Sequence, residues 1–130
     1  MRVYLVRHAE AAPGNPDELR PLTAKGGAAA GKLGERLRKD GVRADAVLSS
    51  PLLRARQTAE AIAAALGVEA EPTALLEPGA TEDDLLAAVE GRGEVVVAVG
   101  HQPDCGLIAA ALAGLPETPF PPGSFVLLEL

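Results

Sequence analysis

The 130-residue chain is predicted to be a single α/β domain spanning residues 1–130, with a mainly parallel central sheet covered by helices on both faces. Three observations predict it. Short runs of Val, Leu and Ala alternate with longer segments whose apolar residues recur at helical spacing. The strand-like runs are nearly continuous in apolar residues, as strands buried on both faces require. Gly, Pro, Ser and Thr punctuate the boundaries, and no linker, internal repeat or low-complexity tail interrupts the pattern.

Val3-Tyr4-Leu5-Val6 reads as the first buried strand. Residues 11–22, with three prolines, a glycine and an asparagine, read as a loop. Thr23 is the expected N-cap of a helix over Ala24–Lys39, with Ala30, Leu33 and Leu37 on one face and Gly41 at its end. Gly26, Gly27, Gly31 and Gly34 within it suit close packing against the sheet. Ala46–Ser49 reads as a second strand. Ser50 and Pro51 then read as N-cap and first residue of a helix with an apolar stripe of Leu52, Ala55, Ala59, Ile62 and Leu66, closed by Gly67. A weak strand is expected over Glu69–Glu71, and a helix capped by Thr81 through Val89, bearing Leu85, Leu86 and Val89. The strongest strand signal is Glu94–Val99, with four valines in the five positions from Val95. Pro103–Ala113 reads as a helix with Leu107, Ile108, Ala111 and Leu112 inward. Residues 114–123 read as a Pro/Gly-rich loop, and Phe125–Leu130 as a last strand.

Composition narrows the function. Hydrophobic residues make up 48% of the chain, enough for a substantial core, but there is no Trp, one Tyr and two Phe. Few aromatic rings argue against single-stranded nucleic-acid binding, which uses them as stacking platforms. A net charge of −6 disfavours non-specific binding to nucleic acid or to an acidic membrane. Cys105 is the only cysteine, so neither an internal disulfide nor a Cys-rich metal site is expected. The first strand follows Met1 directly, and no apolar run reaches membrane-spanning length; the expected compartment is the cytoplasm.

In open parallel sheets, ligands bind beyond the carboxyl ends of the strands. The first strand runs out into Arg7-His8. The second runs into Ser49-Ser50-Pro51, with Arg54 a turn into the next helix, and the valine strand runs into Gly100-His101. Both histidines of the chain therefore follow strands, and arginines flank two of the three exits. This set suits phosphoryl transfer, which depends on positioning and on stabilising charge on equatorial oxygens. Arginine binds two oxygens at once and keeps its charge, while a neutral imidazole can attack phosphorus and split one difficult step into two. A helix start near Pro51 adds N–H groups directed at an anion.

The same residues resemble the signatures of the histidine phosphatase superfamily. Leu5-Val6-Arg7-His8-Ala9-Glu10 is similar to the first signature, Ser49-Ser50-Pro51-Leu52-Leu53-Arg54-Ala55-Arg56-Gln57-Thr58 to the second, and Gly100-His101-Gln102-Pro103 to the third. Arg20-Pro21-Leu22-Thr23 followed by Gly26 resembles an element of the small SixA-like phosphohistidine phosphatases. The matches run in family order from residue 5 to about residue 106. The resemblance implies a phosphoglycerate mutase-like fold and a metal-independent phosphatase without cofactor. It implies His8 as the nucleophile, Arg7, Arg54 and His101 as the rest of the catalytic pocket, and Arg20 as a further phosphate-facing arginine. Ser50 is expected as an N-cap that also contacts substrate.

Two departures bear on mechanism. Ala9 stands where the superfamily commonly has Gly. Larger members carry a general acid in an inserted region, and no comparable insertion is present here. Glu77, in Leu75-Leu76-Glu77-Pro78-Gly79, is the candidate acid by order, although its surroundings do not match the motif. An alkoxide leaving group needs an acid, whereas imidazole, with a pKa of about 6.5, leaves more readily. Phosphohistidine on a protein is therefore the expected substrate. A small phosphomonoester is the alternative, and a phosphate- or phosphoprotein-binding module without turnover is a third reading. None of the three readings specifies an oligomeric state. Arg56 is expected in solvent, Thr58 in local packing or bonding, and Glu10 in solvent or a pairing role. Asp104 and Glu82-Asp83-Asp84 are expected as helix-start acids, and Cys105 as a packing residue.

Overall fold

Every apolar run picked out above becomes a strand. The computed structural model describes residues 1–114, 116 and 120–130. The strands are β1 (Arg2–Arg7), β2 (Ala46–Ser49), β3 (Ala70–Pro72), β4 (Val95–Gly100) and β5 (Phe125–Glu129). They form one sheet in the order β3-β2-β4-β1-β5. The valine strand β4 lies at its centre, parallel to β1 and to β2. The edge strand β5 runs antiparallel to β1, pairing Val6 with Phe125 and Arg2 with Glu129.

The helices are α1 (Ala24–Lys39), α2 (Leu53–Leu66), α3 (Glu82–Val89) and α4 (Asp104–Ala113). Strand alternation divides the core between the two sheet faces. Val6, Val47, Val97 and Val99 pack on Leu33 and Leu37 of α1 and on Ala55, Ala59 and Ile62 of α2. Val3, Leu5, Leu48, Val96 and Ala98 pack on Leu85 and Val89 of α3 and on Cys105 and Ile108 of α4. Both faces are thus covered, and the fold is the α/β architecture expected from the sequence.

Capping follows the sequence closely at two helices. The Thr23 side chain accepts from Gly26 N–H at 2.9 Å. Thr81 and Asp84 form a reciprocal capping box at α3. At α2 the expectation needs correction: the N-cap is Leu52, and the helix begins at Leu53, not at Pro51. Ser50 Oγ accepts from Leu52 N–H at 3.2 Å in a tight turn before the helix. Hence Ser50 is not an N-cap, and its hydroxyl is used elsewhere.

The inward face of α4 also differs from expectation. Leu107 is 49% exposed and Ala111 is exposed, while Cys105, Ile108 and Ala109 are buried. Of the glycines of α1, Gly26 and Gly34 serve loop and helix contacts, not the sheet, and Gly27 and Gly31 face open space. A Cβ on Gly34 would stand 2.9 Å from Ala65 Cβ on α2, and one on Gly26 would stand 2.0 Å from the Glu10 carbonyl oxygen. Gly26 therefore lets α1 start directly against the segment that follows β1. Of the loop expected over 114–123, residues 115 and 117–119 lie outside the described residues. Beyond them Phe120 is buried, and Gly123 N–H approaches the carbonyls of Arg7 and His8, both at 3.1 Å.

Candidate active site

Register brings the two histidines together. Arg7 on β1 pairs with Gly100 on β4, so His8 and His101 each stand one residue beyond paired positions. His8 N–H donates to the Gly100 carbonyl at 3.0 Å, and Ser50 N–H to the Val99 carbonyl at 3.0 Å. The imidazole centroids of His8 and His101 lie 5.2 Å apart, with the rings tilted by 60°.

The tautomer of His8 follows from its partner. Nδ1 lies 2.7 Å from the Ala9 carbonyl oxygen. A carbonyl only accepts, so Nδ1 carries the proton and Nε2 keeps its lone pair. Burial pushes the His8 pKa below its usual 6.5; the Ala9 bond opposes this, and the cations of Arg54, Arg7 and Arg20 add to it. His101 is 3% exposed, with Nε2 2.8 Å from Ser50 Oγ. Burial, followed by His8 and Arg54, pushes its pKa down to about 4. Both rings are therefore neutral at neutral pH.

Three arginines act on this pair. Arg7 donates from Nη1 to the Phe120 carbonyl at 2.9 Å, and its buried Nε has no partner among the described residues. Arg54, 7% exposed in the first turn of α2, donates from Nη1 to the Asp17 carbonyl at 2.9 Å and from Nη2 to Asp17 Oδ2 at 3.2 Å. Arg20 donates from Nε to the Ala12 carbonyl at 2.8 Å and from Nη1 to Asp17 Oδ1 at 3.0 Å. Its bonds to Arg20 and then Arg54 hold the Asp17 carboxyl below the usual carboxylate range. Cations gathered around a neutral imidazole make a locally positive basin, an environment suited to an anion, with the unprotonated Nε2 of His8 at its floor.

Side chains behind the basin fix its shape. Thr58 Oγ1 accepts from Ala9 N–H at 3.0 Å and donates to the Arg54 carbonyl at 2.8 Å. Thr58 thus holds the main-chain N–H of Ala9, the residue whose carbonyl in turn orients His8. Gln57 Oε1 accepts from Leu22 N–H at 2.8 Å, tying the 11–22 loop to α2. Within that loop Asp17–Leu19 form a short 3-10 turn.

The structure therefore brings His8, Arg7, Arg54, His101, Arg20 and Ser50 to one edge of the sheet. Ser50 contacts His101. Glu77 is exposed at the end of the 3-10 turn Ala74–Leu76 and makes no side-chain hydrogen bond or ion pair among the described residues. It lines a shallow concavity with Ala74, Leu75, Pro78, Gly79, Ala80 and Asp84. The neighbouring backbone is held from α4, where Asp104 Oδ2 accepts Gly79 N–H at 2.8 Å. Sequence reasoning missed Asp17, although its place three residues before Arg20 was a usable signal for an ion pair. It also gave Thr58 no connection to the nucleophile. Among the described residues, no group of three or more His, Cys, Asp or Glu side chains is placed to hold a metal ion.

Comparison with known proteins agrees with this geometry. Residues 3–78 match the family model of the histidine phosphatase superfamily, branch 1. An uncharacterised protein of Picosynechococcus is 42% identical over 122 residues, covering 87% of this chain and 73% of that protein. The structure of the protein histidine phosphatase SixA complexed with tungstate superposes with a TM-score of 0.84 at 27% identity, covering 98% of this chain and 94% of that one. A candidate phosphohistidine phosphatase SixA from Agrobacterium tumefaciens gives a TM-score of 0.82 at 31% identity, covering 97% and 89%.

Proposed function

The chain belongs to the histidine phosphatase superfamily, and from that premise we propose that it hydrolyses phosphohistidine on a protein through a covalent intermediate on His8. The observation that carries this reading is the His8 imidazole: neutral, tautomerically fixed by Ala9, and surrounded by Arg7, Arg20 and Arg54. The likeness to SixA phosphohistidine phosphatases, one of them holding the oxyanion tungstate, supports the substrate class.

In this reading the phosphoryl group sits among the arginines, and the Nε2 lone pair of His8 attacks phosphorus. The new N–P bond forms as the bond to the leaving nitrogen breaks, and that nitrogen keeps the electron pair. The three guanidiniums stabilise charge spread over the equatorial oxygens. Ala9 holds the Nδ1 proton while positive charge develops on the ring. Water then attacks the phosphorus of phospho-His8; the N–P bond breaks, inorganic phosphate leaves, and neutral His8 returns. His101, neutral and held at Nε2 by Ser50, donates to a phosphoryl oxygen when its other ring nitrogen, Nδ1, carries the proton.

An imidazole leaving group suits a site in which Asp17, the carboxylate bonded to two of its arginines, is held ionised by them. The test is a chase of 32P-labelled phosphohistidine protein with the folded enzyme. Expected are a transient, acid-labile phosphoenzyme and release of inorganic phosphate. Faster turnover of free small phosphomonoesters than of the phosphoprotein would replace this substrate assignment with the second one. Binding without any product would reduce the protein to a phosphate-recognising module.

A further inference from the structure

The pocket contains an acid in an unexpected place. Asp17 has no catalytic proton to give, because the bonds to Arg20 and Arg54 favour its ionised form. Nor is it a buried structural ion, since its side chain is 59% exposed. Its geometry is nevertheless specific. One carboxylate oxygen takes Arg20 Nη1 at 3.0 Å, and the other takes Arg54 Nη2 at 3.2 Å. The Asp17 carbonyl takes Arg54 Nη1 at 2.9 Å. Residue 17 thus spans two arginines from separate parts of the chain, one on the 11–22 loop and one on α2. Arg54 is tied to the loop by both main chain and side chain of a single residue.

Without that bridge, two like charges would face each other across the pocket and their flexible side chains would diverge. With it, each guanidinium uses two N–H groups on Asp17 or a main-chain carbonyl and keeps further donors unused. Arg20 is steadied on its other side by the Ala12 carbonyl. We propose that Asp17 is a positioning residue for the phosphoryl site: its carboxylate fixes Arg20 and Arg54 against each other so that both aim their remaining donors at one bound anion. The inference rests on the reading of the pocket as a phosphoryl site, and it assigns the precision of that site to a carboxylate that itself never touches the phosphoryl group.

A double-mutant cycle on the full chain tests it, with orthovanadate as the probe and its inhibition constant as the readout. Asp17→Ala is expected to raise the constant about tenfold, the scale of one charge-assisted hydrogen bond lost from an oriented site. In an Arg20→Ala background the same substitution is expected to cost much less, about twofold to threefold, because half of what Asp17 orients is gone. Equal factors in the two backgrounds would overturn the proposal, since an indirect effect on the fold is blind to Arg20. A tighter constant in Asp17→Ala would also overturn it, because the carboxylate would then be a competitor of the anion. If Asp17→Ala fails to fold by circular dichroism, Asp17→Asn carries the cycle, since its amide presents only one oxygen to the two guanidiniums. Wild-type protein that binds no vanadate would defeat the reading of the pocket itself. Wild-type binding with an unchanged constant in the variants would defeat only the role of Asp17.

Discussion

The floor and the wall of the basin are built in different ways. The floor consists of His8, His101, Ser50 and Thr58, which follow strands or sit in the first turns of α2; the last three are at most 3% exposed. Their side-chain hydrogen bonds run to one another or to main-chain groups close by, at Ala9 just beyond β1 and at Leu52 and Arg54 at the start of α2. The wall is the 11–22 loop, with Asp17 and Arg20 held by an exposed ion pair, the Ala12 carbonyl and Gln57. A floor that follows the strand ends keeps His8, the proposed nucleophile, its tautomer and its neighbour at one spacing. A wall tied by a few side-chain bonds can differ in shape without disturbing the sheet. Under the proposed function, the chemistry belongs to the floor and substrate fit to the wall.

The largest effect should come from the floor. His8→Ala is expected to abolish phosphoenzyme formation and turnover while the thermal melt keeps its cooperativity. Residual phosphate release at more than a trace of the wild-type rate would move the nucleophile elsewhere. Next come the arginines nearest the floor. Arg7→Ala and Arg54→Ala should each lower kcat/KM by about 10²–10³, as removal of a preorganised charge stabiliser commonly does. Arg20→Ala, on the wall, should cost less and act mainly through KM. Should Arg20→Ala prove as damaging to kcat as Arg54→Ala, the division between floor and wall would collapse.

Much of this contrast was legible in the sequence, and the reasons are local. Strand ends could be read because β1, β2 and β4 are short apolar runs that stop at Arg7, Ser49 and Gly100. The rule that ligands gather there then collects both histidines. Thr23 and Thr81 were readable as caps because their hydroxyls bond within three residues of themselves. Ser50 was misread for the opposite reason: its hydroxyl bonds His101, 51 residues away, and a Ser-Pro pair looks the same whether or not such a partner exists. In α4, Asp-Cys-Gly-Leu-Ile-Ala-Ala-Ala-Leu-Ala has no polar side to set the phase of its inward face, so Leu107 and Ala111 were assigned inward wrongly. Asp17 was overlooked because its importance depends on Arg54, which is distant in sequence and adjacent only after α2 packs beside the loop.

Smaller effects probe how the floor is supported. Thr58→Val keeps the volume and removes the hydroxyl, leaving Ala9 N–H unpaired in the interior. A loss of about 1–3 kcal/mol in stability is expected from denaturant titration. About a tenfold fall in kcat should accompany it, because Ala9, whose carbonyl sets the His8 tautomer, loses the bond that holds its N–H. A stability loss with unchanged kcat would make Thr58 a packing residue alone.

The smallest effect expected is on proton affinity, and it joins wall to floor. The proposed catalysis requires neutral His8, whose pKa lies below 6.5 through burial, with Arg54, Arg7 and Arg20 contributing in that order. The acid limb of kcat/KM should therefore fall below pH 6.5, activity being lost as pH drops through the His8 pKa. Folding stability should fall in the same direction. Below pH 6.5 the unfolded chain takes up protons that the folded histidines refuse, down to about pH 4 for His101. Removing a cation near His8 relieves repulsion in its protonated form, so each arginine substitution should move the acid limb upward. Arg54→Ala should move it furthest and Arg20→Ala least. A pH profile of Arg20→Ala superimposable on wild type would mean that the wall does not reach the nucleophile electrostatically. Arg20 would then act on the phosphoryl group alone, and the wall would govern substrate fit without touching the proton chemistry of the floor.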